Sequence, residues 1–292
     1  LGYSRPEWGF SEASVVNVKI HEQSGDIGLG VDDGGAGDQG LMFGDACSQT
    51  KEFMPLPIML AHGLTRKMDE LSTKYSWIRP DGKAQVTVKY IKRQPTRVQK
   101  VVLARPHDPA VAAAEVKEVF YREIVQPVLA DYGHELGEGA LIVNGTGKWE
   151  IGGPASDTGV TGRKIIADTY GGWARHGGGG FSGKDATKVD RSAAYAARWV
   201  AKNVVAAGLA GECEIQVAYV IGQAEPVNIM IETFDTEKKT LRIIRDFVKK
   251  MTRFKVGEII EKLDLKKPVF KQTATYGHFG RAGVSWEKIM EI

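Results

Sequence analysis

Gly152–Arg191 reads GGPASDTGVTGRKIIADTYGGWARHGGGGFSGKDATKVDR, and the reading of the chain turns on it. Its glycines let backbone approach a ligand closely and offer N–H groups. Its cations Arg163, Lys164, Arg175, Lys184, Lys188 and Arg191 outnumber the carboxylates Asp157, Asp168, Asp185 and Asp190. A polyanion accompanied by metal ions suits such a stretch. A long surface loop with solvated charges is the alternative, but loops of this length in compact domains usually carry function. Within the stretch Ile165–Tyr170 reads as a strand between two glycine-rich turns, and Asp190 heads a helix running to Ala207, with Gly208 at its end. Arg198 on that helix lies outside the cationic cluster and serves as its control.

Downstream, Ile215–Ile221 and Val227–Thr233 read as paired strands, and Leu241–Met251 and Val256–Leu263 as helices. Upstream, Ser14–His21 alternates like a half-buried strand. The glycine-dense Glu22–Gly40 loses periodicity, as a lid or a flexible linker would. Pro57 opens an amphipathic helix with Ile58, Ala61, Met68 and Leu71 on its apolar side. Gln85–Tyr90 and Val98–Ala104 read as strands, Pro109–Val128 as a helix and Leu141–Asn144 as a short strand. Paired strands followed by helices favour α+β layers over a regular parallel sheet.

At 292 residues the chain has room for about two domains. Its net charge of +3 is too small to argue for nucleic acid, so phosphate recognition must come from local clusters. Cys47 and Cys213 are the only cysteines, and no leader or long apolar span is visible, which predicts a reduced, cytoplasmic protein that does not engage a membrane.

Two motifs need weighing. Gly35–Gly40 spells GxGxxG, but no strand runs into it, so the dinucleotide reading lacks its context. Gly178–Asp185 comes within one residue of GxxxxGK[ST], with Asp185 where a metal-binding hydroxyl belongs. A P-loop phosphotransferase is therefore an alternative, as is a non-catalytic nucleotide-binding subunit. Lys184 and Lys188, four apart, repel unless an anion lies between them. Lys83 is either aimed from a strand entrance or an ordinary hairpin lysine, and Asp190 either caps its helix or holds a metal ion.

GAGDQGLMFG (35–44), IRPDGKAQVT (78–87), the block from Ile151 to Asn203 and YGHFGR (276–281) resemble S-adenosylmethionine synthetase, a likeness running from Leu1 to about Trp286. The resemblance implies an α+β fold of three similar sheet-and-helix domains in pseudo-threefold arrangement. Here they would be 1–33, an incomplete first domain with a gating loop; 34–150, the central domain; and 151–292, the C-terminal domain. It also implies an enzyme that joins ATP and L-methionine by attack of sulfur on the ribose 5′ carbon, then hydrolyses the expelled tripolyphosphate to phosphate and pyrophosphate. Two magnesium ions per site, a potassium ion and a homodimer or dimer of dimers belong to the same implication.

Position by position, the resemblance makes Asp81 and Lys83 nucleotide-phosphate contacts and Lys148 with Trp149 adenosine contacts, where the family usually has Arg-Phe. It makes Arg163, Lys164 and Lys184 polyphosphate ligands and, with Lys83, the catalytic set. Gly180 stands for an alanine in the nucleotide wall. Gln23, Asp38, Asp157 and Lys188 become methionine contacts, Asp157 also touching ATP, and Asp190 a magnesium ligand. Gln23 through Asp33 resembles the gating loop, in a glycine-rich rather than Pro-containing form. The family's N-terminal His-Pro-Asp-Lys motif is not in this sequence, which leads to the expectation that the chain given is a piece of a longer one.

Overall fold

The computed structural model describes residues 2–22, 24–32 and 34–291, and is mixed helix and sheet, α+β as expected. The strands are β1 (Gly40–Cys47), β2 (Lys83–Ile91), β3 (Gln94–Ala104), β4 (Leu141–Val143), β5 (Glu212–Tyr219) and β6 (Asn228–Glu232). The helices are α1 (Gly25–Asp32), α2 (Leu56–Leu71), α3 (Ala113–Phe120), α4 (Gln126–Ala130), the single turn α5 (Ile165–Asp168), α6 (Val189–Ala206), α7 (Leu241–Met251) and α8 (Val256–Lys262). A π-helical turn, Tyr121–Val125, joins α3 to α4, so the predicted helix over 109–128 is real but widened in its middle. No described helix is long and apolar enough to cross a membrane.

The chain divides into two compact units, Leu1–Lys19 with Leu56–Val160, and Ile20–Pro55 with Thr161–Ile292. In the first unit β2 and β3 form an antiparallel hairpin and β4 adds in parallel to β3. The hairpin turns at Lys92 and Arg93, both at positive φ, the conformation that matches strand twist in a two-residue turn. Leu56, Leu60, Leu64, Met68 and Leu71 recur every three or four residues and bury one face of α2 in a core with Val101, Leu103, Val116 and Phe120.

In the second unit β1, β5 and β6 form an antiparallel sheet in that order. Small residues let α6 settle on it: Ala193, Ala196, Ala197 and Ala201 are almost wholly buried. On β1 a Cβ built on Gly44 would lie 2.0 Å from the Arg198 nitrogen, so only glycine admits the helix there. Sequence reading misses β1 altogether.

Three expected elements differ. Residues 14–21 form no strand; Val15, Val16, Val18 and Ile20 are 71–90% exposed, and alternation without a partner strand does not suffice. The aperiodic 22–40 segment contains α1. Ile165–Tyr170 is not a strand but a helical turn, closed by Thr169 Oγ1 donating to the Ile165 carbonyl (2.9 Å) and the Gly171 amide to that of Ile166 (2.9 Å). That local bonding outcompetes the β preference of the two isoleucines.

Candidate functional site

The expected contacts fall into two groups, one in each unit. In the first unit the turn before β2 is built around Asp81, a non-glycine residue at φ +80°. Its carboxylate stabilises that conformation: Oδ1 accepts from the Gly82 amide (2.7 Å) and Oδ2 from the Gly153 amide (2.8 Å). Asp81 therefore ties the glycine loop to the strand entrance. Gly152 is required there, since a Cβ would come within 2.8 Å of both Pro106 Cγ and Asp81 Cβ. Burial and then the Asp81 charge push the nearby Tyr3 hydroxyl above its usual range.

Lys83 opens β2 and sends its ammonium over the Trp149 ring, 5.4 Å from the centroid. Trp149 is fixed by its indole N–H donating to the Ile151 carbonyl (2.8 Å) and its own carbonyl accepting from His107 (2.9 Å). A cation and an aromatic face are thus presented together, while Lys148 turns aside to Glu150 (3.0 Å). Asp157 is exposed beyond the short 3-10 turn Gly153–Ala155.

In the second unit two loops of the glycine-rich stretch lie against each other. A Cβ on Gly180 would sit 3.0 Å from the Gly162 Cα, and one on Gly183 would sit 3.3 Å from Thr161 Cγ2. That approach puts Arg163 and Lys164, both exposed at the entrance to α5, on the segment bordering the one that carries Lys184. Lys184 Nζ meets Asp190 Oδ2 at 2.7 Å. Arg191 braces the loop by donating to the Lys184 carbonyl (2.8 Å), and its Nε donates to the Tyr195 hydroxyl (3.0 Å), which lies 2.7 Å from His278 Nδ1. Lys188 lies along Gly37, whose Cβ would meet Lys188 Cδ at 3.1 Å, and so comes beside the exposed Asp38. Gln23 and Asp33 lie outside the described residues.

Several sequence expectations change here. Asp190 does not cap α6: the N-cap is Lys188, with no side-chain cap, and Asp190 stands in the first turn, paired with Lys184. Lys184 is not on a helix start, so its repulsion with Lys188 is not the helical i,i+4 case. Gly178–Asp185 has no strand before it and no helix directly after it, because α6 begins only at Val189. The P-loop architecture is absent from that segment.

Arg198 fails as a bystander. It is fully buried, its Nε and Nη2 each 2.9 Å from Glu287, and it donates to the carbonyls of Asp45, Phe53 and Glu52 at 2.8 Å each. Lys202 adds a 2.7 Å contact to Glu287. Neither this network nor the Arg191–Tyr195–His278 chain is visible in sequence, because each joins residues at least 80 apart.

Profiles of known families match nearly all of this. The one described as "S-adenosylmethionine synthetase, central domain" matches residues 33–149, and "S-adenosylmethionine synthetase, C-terminal domain" matches residues 151–288. The chain belongs to the S-adenosylmethionine synthetase family. Family membership makes it a methionine adenosyltransferase-type enzyme, and both residue groups above lie inside the matched segments of the synthetase.

Proposed function

We propose that the protein makes S-adenosylmethionine from ATP and L-methionine. The observation that supports this best is the second-unit cradle, where close glycine contacts border Arg163 and Lys164 with the segment of Lys184, around backbone too small to obstruct a phosphate chain. Thioether sulfur is a nucleophile without deprotonation, so no general base is needed for attack on the ribose 5′ carbon. The carbon–oxygen bond to the triphosphate breaks as the carbon–sulfur bond forms, and both electrons of the former leave with tripolyphosphate.

Negative charge on the leaving group rises in the transition state, and fixed cations aimed there lower the barrier. Each such donor contributes about 3 kcal/mol, roughly a hundredfold in rate. Lys184 is held ready by Asp190, an arrangement in which incoming phosphate can take over the ammonium. In the other group, Trp149 offers a face for adenine and Lys83 a cation beside it, while Asp81 fixes the turn that presents both. Within the second unit, Asp38 and Lys188 would receive the methionine amino and carboxylate groups. The cradle would then retain tripolyphosphate for hydrolysis to phosphate and pyrophosphate.

For metals the donor set is sparse. Among the described residues no three His, Cys, Asp or Glu side chains gather as a metal cage. One carboxylate with substrate phosphates is nevertheless an ordinary way to hold magnesium, and Asp190 fits it. Magnesium bound there would neutralise developing phosphate charge. No step is assigned to potassium.

The test is to incubate the protein with ATP, methionine, magnesium and potassium and analyse products by mass spectrometry. A sulfonium product with no ADP supports the proposal; ADP without sulfonium would replace it with phosphoryl transfer.

A further inference from the structure

β6 is an edge strand: among the described residues only β5 pairs with it. Its side chains Ile229 and Ile231 stand opposite Val217 and Ile215, so they share the sheet face that packs on the helices. Val217 and Ile215 are fully buried, whereas Ile229 is 39% exposed. The apolar face therefore continues past the core to the edge and is left open there.

Beside it runs α7. Between helix and strand lies a groove of about 690 Å³, floored by Ile229, Ile231 and Val248 and rimmed by Arg245, Lys249 and Arg253. Arg245 and Lys249, four apart, share the groove side of α7, and Arg253 reaches the same groove from the extended segment after the helix end. All three are exposed, and their side chains form no ion pair among the described residues. An apolar floor, a free strand edge and a row of unpaired cations together specify the occupant. Backbone pairing at the edge requires an extended chain, the floor requires apolar side chains at alternate positions, and the rim requires carboxylates flanking that strand, where the chain can turn them toward α7.

We propose that β6 and α7 form a docking groove for an extended acidic peptide segment of a partner protein, which adds as a strand to the β6 edge and pairs its carboxylates with Arg245, Lys249 and Arg253. The five residues of β6 offer about 17 Å of edge, enough for two or three inward side chains. The site lies outside every residue assigned to ATP or methionine, so occupancy acts as recruitment rather than as competition with substrate.

The test uses a fluorescein-labelled peptide of sequence Glu-Glu-Val-Thr-Ile-Thr-Val-Glu-Glu, read by fluorescence anisotropy, with a control in which the central isoleucine is proline. The expected result is saturable binding and slowed amide exchange over residues 228–232. The double reversal Arg245→Glu with Lys249→Glu weakens binding by about tenfold or more, while Arg242→Glu, off the groove, changes it less than about twofold. The same circular dichroism spectrum for all variants shows that they fold. Equal binding of the proline peptide would reduce the effect to charge alone and overturn strand addition. Absence of binding at about 1 mM peptide, the weak end of specific recognition, would overturn the site. So would concentration-dependent protection of 228–232 without peptide, which would assign the edge to a second copy of the chain.

Discussion

Replacing Arg198 by methionine should lower stability more than any surface change in the same helix. The guanidinium makes two buried 2.9 Å contacts to Glu287 and donates at 2.8 Å to the buried Asp45 carbonyl and to the partly buried carbonyls of Phe53 and Glu52. Breaking a buried pair typically costs about 3–5 kcal/mol, because one charge is left uncompensated. Here Lys202 at 2.7 Å and the Gly280 amide at 2.8 Å still serve Glu287, which places the ionic part at the low end, about 3 kcal/mol. The three abandoned carbonyls add to it, so a total of about 4 kcal/mol is expected, a large share of a typical 5–15 kcal/mol. At roughly 2–4 °C per kcal/mol for a unit of this size, Tm falls by about 8–16 °C.

Burial alone would raise the Glu287 carboxyl, but Arg198 and Lys202 outweigh it and hold it below its usual range. A carboxylate lowered in this way contributes stability fully present above its unfolded value, about 4.3, and lost as pH falls through the folded value. The gap between wild type and Arg198→Met should therefore narrow below about pH 4. Differential scanning calorimetry across pH reads both effects. Removing both charges, Arg198→Met with Glu287→Leu, should recover part of the loss, since apolar replacement of a whole buried pair is far milder than removal of one partner. A Tm drop under about 2 °C for the single change, or no recovery in the double, would refute the reasoning.

Three further outcomes are expected. Asp190→Asn removes the partner of Lys184 and the proposed magnesium donor, so the magnesium concentration for half-maximal activity should rise while folding is kept; an unchanged titration would leave Asp190 only as the anchor of Lys184. Trp149→Ala should raise the KM for ATP by roughly tenfold, as loss of a stacking face worth about 1–3 kcal/mol implies, with little change in the KM for methionine; steady-state kinetics decide. Gly44→Ala should prevent stable folding of the second unit, because its Cβ would lie 2.0 Å from helix backbone that cannot move alone, and soluble yield with circular dichroism would show it.

Much of the architecture is legible from periodicity. α2 and α7 announce themselves by apolar residues at three- and four-residue spacing, and β2 by alternation, because these patterns reflect a single buried face; α6, buried on all sides, is marked instead by Asp190 near its start and Gly208 after its end. What fails is what depends on distant partners. β1 pairs with β5 across some 170 residues, and two glycines and an aspartate interrupt its apolar residues, so nothing local marks it. The Val15–Ile20 alternation has the pattern of a strand but no neighbour among the described residues. Within the site, the residue types of Asp81, Lys83, Lys184 and Asp190 are readable, but their arrangement is not. That Asp81 spends both oxygens on backbone and that Lys184 closes on Asp190 follow from turns whose positive-φ geometry only the fold reveals.

The central claim is that Arg163, Lys164 and Lys184 bind the departing triphosphate more strongly than intact ATP. Isothermal titration of tripolyphosphate with magnesium into the wild-type protein and into Arg163→Ala/Lys164→Ala/Lys184→Ala tests it most directly. The account predicts that the triple change weakens tripolyphosphate by about a hundredfold or more and ATP distinctly less. Equal tripolyphosphate affinity in the two proteins would contradict it.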